Sequence, residues 1–196
     1  MRSVSWPAQA RGRRATVAVV AAVVAVTVLA RIPLMGLPLD SDEGGYALVA
    51  HRWSLGAPLY SLGAWVDRPP GLVVVFRLVD AVSYSAVAMR VAAALAAAVL
   101  SLGAAATAWA LAGRRAALVT GLVVGVVLAG PWLEGYQLNG ELLAGAAAAV
   151  AVAVACWWRA GVLSARWLVV AGALAGVGPL MKQSGFDGVV LSLIHI

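Results

Sequence analysis

Long apolar runs dominate the chain: residues 15–30, 91–112 and 142–158 contain no charged side chain. A helix needs about twenty mostly apolar residues to cross the hydrocarbon core of a bilayer, and these runs are of that order. They are built from Ala, Val and Leu with frequent Gly, a mix in which small residues let helix backbones approach closely. Hydrophobic residues make up 63% of the chain and charged residues 11%, far from the balance of a soluble domain. The predicted fold class is an all-α membrane protein, a multi-span helical bundle.

Five spans are predicted: Ala15 to Met35 with Arg31 snorkelling to the interface, Val91 to Ala112, Ala116 to Trp132, Leu142 to Trp158, and a shorter Trp167 to Met181. Arg2, Arg11, Arg13 and Arg14 in residues 1–14 hold the N-terminus in the cytoplasm under the positive-inside rule; a signal peptide cut after Ala30 is the alternative. The segment Gly71 to Tyr84 sets the parity. It is short and carries Arg77 and Asp80, so it reads as a surface element. Arg114, Arg115, Arg159 and Arg166 then all face the cytoplasm, and all eight acidic residues fall outside. The first external loop covers residues 36–89 and carries two surface helices. One begins after Asp42-Glu43 and stops near Gly56; the other starts at Pro69-Pro70. A second external loop covers residues 133–141.

The net charge of +6 comes from residues at span ends, without the basic stripe of a nucleic-acid binder. Cys156 stands alone, so no disulfide framework or cysteine metal site is available, and it reads as packing. Neither a phosphate-binding glycine loop nor an HExxH or GxSxG motif is present, which leaves nucleotide-driven and zinc-hydrolase readings without residues. Leu191-Ser192-Leu193-Ile194-His195-Ile196 corresponds to what a sequencing-library transposase adapter would encode. The native reading frame is therefore expected to run on past Val190, and these residues are set aside.

The polar stretch from Asp40 to Pro70 holds the chemistry. Ionisable groups held at a membrane are costly and tend to mark function. Asp40, Asp42 and Glu43 could abstract a proton, hold a divalent cation, or cap the helix that follows. Arg68, Arg90 and Lys182 fall at the outer ends of predicted elements. Arg binds phosphate oxygens bidentately, although for any one of them alone interfacial snorkelling to lipid headgroups is the favoured reading. Glu141 opens a span, where an acid suits the helix dipole. Tyr136 and the tryptophans could stack on a sugar or form an interfacial belt. His51 has no second histidine at ligand spacing and reads as structural.

In order along the chain, Asp42-Glu43-Gly44-Gly45-Tyr46-Ala47, Gly56-Ala57-Pro58-Leu59-Tyr60, Asp67-Arg68-Pro69-Pro70-Gly71, Met89-Arg90-Val91, Leu138-Asn139-Gly140-Glu141 and Lys182-Gln183-Ser184-Gly185 make residues 15–190 resemble the N-terminal part of the C-type integral-membrane glycosyltransferases. The closer likeness is to the protein mannosyltransferase and lipid A aminoarabinose transferase branch. The resemblance implies transfer of a sugar, with inversion, from a polyprenyl-phosphate carrier to a protein, lipid or glycan acceptor on the outer face of the plasma membrane. It implies catalytic roles for Asp42 and the adjoining Glu43, phosphate or substrate contacts from Arg68, Arg90 and Lys182, and substrate contacts from Tyr46 and Glu141. No cofactor is assigned. The second acidic loop lacks a DxD form, so a divalent cation is left open. The family has several more spans, so the chain reads as an N-terminal fragment, inactive alone. Two other functions fit the same composition: a transporter or flippase of lipid-linked substrates, with charges or broken helices at mid-membrane, and a non-catalytic membrane scaffold.

Overall fold

A computed structural model describes residues 12–184. The basic residues Arg2 and Arg11, the acid Asp187 and the adapter-like tail 191–196 lie outside the described residues. Within them the chain is all-helical: α1 (Arg13–Leu29), α2 (Ser41–Ser54), α3 (Pro70–Asp80), α4 (Ala86–Ala112), α5 (Arg114–Val127), α6 (Gly140–Arg159) and α7 (Trp167–Met181), with short 3-10 turns at Ile32–Leu34 and Pro131–Leu133.

Three segments are long and apolar enough to cross a membrane: Arg14–Leu34, Ala86–Ala112 and Gly140–Arg159. Of the other two expected spans, α7 has the expected bounds, Trp167–Met181, and α5 ends early at Val127. At 1.5 Å per residue, α5 and α7 reach about 21 and 22 Å, against a hydrocarbon core of about 30 Å. Residues up to Trp132 were expected to continue α5, but Gly130-Pro131 follows its last turn, and a proline pushes its predecessor out of the helical region. α3 reaches about 16 Å and is too short to cross by itself.

The long helices alternate in direction. α1 and α5 run in parallel, with Gly121 against Val23 and Gly125 against Thr27. α4 and α6 run parallel to each other, with Gly103 against Ala149. A Cβ placed on Gly103 would stand 2.8 Å from Ala149, so only glycine allows this approach. α4 and α5 form an antiparallel hairpin whose sole linking residue is Gly113, with φ of +87°, a conformation natural to glycine. The alternation collects the C-terminal ends of α1, α5 and α7 with the N-terminal ends of α4 and α6. At that same end, α2 and α3 pack on one another through Tyr46, Ala47, Ala50, Leu72, Val73 and Phe76, over Met89, Ala93, Leu138 and Leu142.

Arg31 departs from the snorkelling expected of it. Its guanidinium is buried and donates to the Thr27 carbonyl (2.8 Å), the Gly125 carbonyl (3.2 Å) and the Gly135 carbonyl (3.1 Å). Thr27 and Gly125 lie in the last turns of α1 and α5. Helix C-termini present unpaired carbonyls and partial negative charge, and they take the place that a carboxylate would otherwise occupy.

Candidate active site

Asp40 stands at the N-cap of α2, and its carboxylate accepts from the Ser41 amide at 2.7 Å. The helix therefore starts at Ser41, three residues earlier than expected, and Asp42 and Glu43 fall in its first turn, where negative charge suits the dipole. From there they diverge. The Asp42 side chain is 69% exposed; that of Glu43 is 1% exposed.

Glu43 points into the bundle and forms an ion pair with Arg90, whose side chain is 2% exposed. The other Glu43 oxygen accepts from the Leu138 amide at 2.9 Å, and Arg90 donates to the Pro38 carbonyl at 2.7 Å. Arg90 also lies over the Tyr136 ring, 5.2 Å from its centroid. The two residues thus tie α2, α4, the loop before α2 and the loop before α6 together. Each satisfies the other's charge inside the fold.

Asp42, Tyr46 and Arg68 face an open cleft of about 550 Å³. One wall is a face of α2 bearing Asp42, Tyr46, Val49 and Arg52, and the other is the segment with Leu62, Trp65, Asp67 and Arg68. The Arg68 guanidinium lies 3.9 Å from the Asp42 carboxylate and 3.0 Å from that of Asp67. The Tyr46 hydroxyl donates to Asp42 at 3.4 Å, and Arg68 sits 5.8 Å from the Tyr46 ring centroid. Partial burial disfavours the Arg68 cation, but the acidic groups of Tyr46, Asp67 and Asp42 outweigh it and raise its pKa. Burial pushes the Tyr46 phenol above its ordinary value; Arg68 opposes the rise and Asp42 adds to it.

Beside the cleft, Lys182 at the end of α7 forms an ion pair with Glu141 in the first turn of α6. Gln183, the next residue, donates to the Asp67 carbonyl at 2.8 Å. The candidate site residues therefore gather at one end of the bundle in three groups: Asp42, Tyr46 and Arg68 in the cleft, Glu141 with Lys182 at its edge, and Glu43 with Arg90 beneath.

Other polar residues serve the fold. His51 Nδ1 is 3.0 Å from Asp80, and its ring stacks on Tyr84 at 4.0 Å, tying α2 to the end of α3. Arg77 lies over Trp53 at 4.1 Å, so that tryptophan's face is engaged within the protein. Among the described residues no group of three or more His, Cys, Asp or Glu side chains is arranged to hold a metal ion.

In the sequence Tyr60 and Gln183 stand only as members of the motifs quoted above, and Arg52 only as part of the polar stretch, none with a role of its own. The spacing of Asp42, Val49 and Arg52 along one helix face was a signal for Arg52. The other two act through backbone carbonyls, which leave no pattern in the sequence. Comparison with protein-family models, with curated proteins and with solved structures gives no match in any of the three.

Proposed function

We propose that the protein is an inverting glycosyltransferase that takes a sugar from a polyprenyl-phosphate carrier and passes it to an acceptor on the outer face of a bacterial plasma membrane. In this reading α1, α4, α5, α6 and α7 are the spans, and α2 and α3 lie at the outer surface. The observation that carries it is the exposed Asp42 carboxylate beside the Arg68 guanidinium, in an open cleft at one end of an apolar helical bundle.

The required chemistry matches that pair. An acceptor hydroxyl attacks the anomeric carbon while the bond from that carbon to the phosphate oxygen breaks. Asp42 takes the hydroxyl proton as general base. Arg68 faces the negative charge that stays on the departing polyprenyl phosphate, and its forked donors suit phosphate oxygens. Lys182 and Glu141 close the edge of the cleft, and their ion pair can open toward a phosphate or a sugar hydroxyl. A transporter would be expected to hold charges midway across its spans. In the three long apolar segments, Arg14, Arg31, Arg90, Glu141 and Arg159 all lie within about a turn and a half of one end, which favours the enzyme.

The test is Asp42→Asn in membranes holding the full-length protein, assayed with radiolabelled polyprenyl-phosphate sugar. Transfer should fall by about a hundredfold or more, the usual contribution of a general base, with insertion unchanged. Near-normal turnover in that variant overturns the assignment.

A further inference from the structure

Arg68 is held by its backbone as well as by its charge partners. The Tyr60 hydroxyl donates to the Arg68 carbonyl at 2.9 Å, and the Gln183 side chain donates to the Asp67 carbonyl at 2.8 Å. Two successive carbonyls are thus gripped by side chains that come from separate parts of the chain. Pro69-Pro70 follows at once and restricts the conformation of the residue before it. Tyr60 has φ of +67°, an outlier for a bulky side chain. Its amide donates to the Ala64 carbonyl at 2.9 Å, which closes the turn that sends its hydroxyl back to Arg68.

A cation that merely reaches for lipid headgroups needs no such restraint, because a long flexible stem suffices. A guanidinium that must meet a phosphate in one orientation does need it. We propose that Tyr60 and Gln183 are positioning residues that fix the Asp67–Arg68 backbone and so aim the Arg68 guanidinium at the phosphate of the lipid carrier. This rests on the glycosyltransferase reading for the identity of the ligand, whereas the clamp itself is a property of the fold. Gln183 directly follows the Lys182 that pairs with Glu141, so docking of α7 and orientation of Arg68 are one event.

The experiment measures binding of farnesyl monophosphate to the purified full-length protein, with amide hydrogen exchange across residues 60–68 as a second readout. Tyr60→Phe and Gln183→Leu each remove one hydrogen bond. Each should weaken binding by about two- to tenfold, the range for one net hydrogen bond, and speed exchange across that segment. In an Arg68→Gln background, with residual binding read at higher probe concentration, neither substitution should weaken binding further, because both act through the guanidinium. Unchanged binding in both single variants overturns the proposal, and so does a loss that persists in the Arg68→Gln background. If the parent protein does not bind the probe, the lipid-phosphate assignment falls and takes the positioning role with it. The exchange data then still tell whether Tyr60 and Gln183 clamp the segment.

Discussion

An α-helix turns by about 100° per residue, so neighbouring carboxylates in its first turn can face opposite surroundings. Asp42 looks into the cleft, while Glu43 shares the buried face of α2 with Tyr46, Ala47 and Ala50. Breaking a buried ion pair from one side leaves an uncompensated charge and costs about 3–5 kcal/mol. Arg90→Ala should therefore destabilise the protein by about that amount, read as a lower thermal midpoint in detergent. Arg90→Ala combined with Glu43→Gln should recover part of the loss. Asp42→Asn removes an exposed charge and should leave the midpoint nearly unchanged. An Arg90→Ala variant as stable as the parent would show that the pair does not hold the loops. Part of this was legible. Residues 43, 46, 47 and 50 recur at helical spacing, but the pattern takes in Glu43 only once the helix is known to start at Ser41. Its partner lies 47 positions away, and nothing local in the sequence joins the two.

At the scale of elements, the apolar runs predicted the three long helices because a long uncharged stretch has few other ways to satisfy its backbone in lipid. The ends were harder to read, since capping and proline effects act over one turn. What the sequence hid was the pairing of helices, which depends on which small residues meet. Gly121 and Gly125 are one turn apart on α5 and lie against Val23 and Thr27, one turn apart on α1. A Cβ on Gly121 would stand 2.5 Å from the buried Val23 and 3.0 Å from Ala105. Gly121→Ala should cost about 1–3 kcal/mol, as overpacking a close contact usually does. Gly176 on α7 has no atom within 4 Å of such a Cβ, so Gly176→Ala should be neutral. Thermal unfolding in detergent of both variants checks the contrast; equal midpoints would mean that the α1–α5 approach is loose in solution.

For the whole molecule, one structural regularity bears on function: the polar clusters lie at one end of the helices and the basic turns at the other. Asp42, Arg68, Glu141 and Lys182 belong to the first end. Arg114 and Arg115 open α5, Arg159 closes α6 and Arg166 precedes α7, which puts all four at the second. Lys and Arg in short loops stay on the cytoplasmic side, so the cleft is expected to face outward. That orientation is required of an enzyme fed by a carrier whose sugar is presented outside. Single cysteines at Ser41, beside the cleft, and Ser164, between α6 and α7, should separate the two sides in a Cys156→Ser background. An impermeant maleimide added to intact cells should modify the Ser41→Cys protein, and the Ser164→Cys protein only after permeabilisation. Labelling of both in intact cells would break the alternation of spans. Reversal of the pattern would turn the cleft toward the cytoplasm, where a carrier presenting its sugar outside could not reach it.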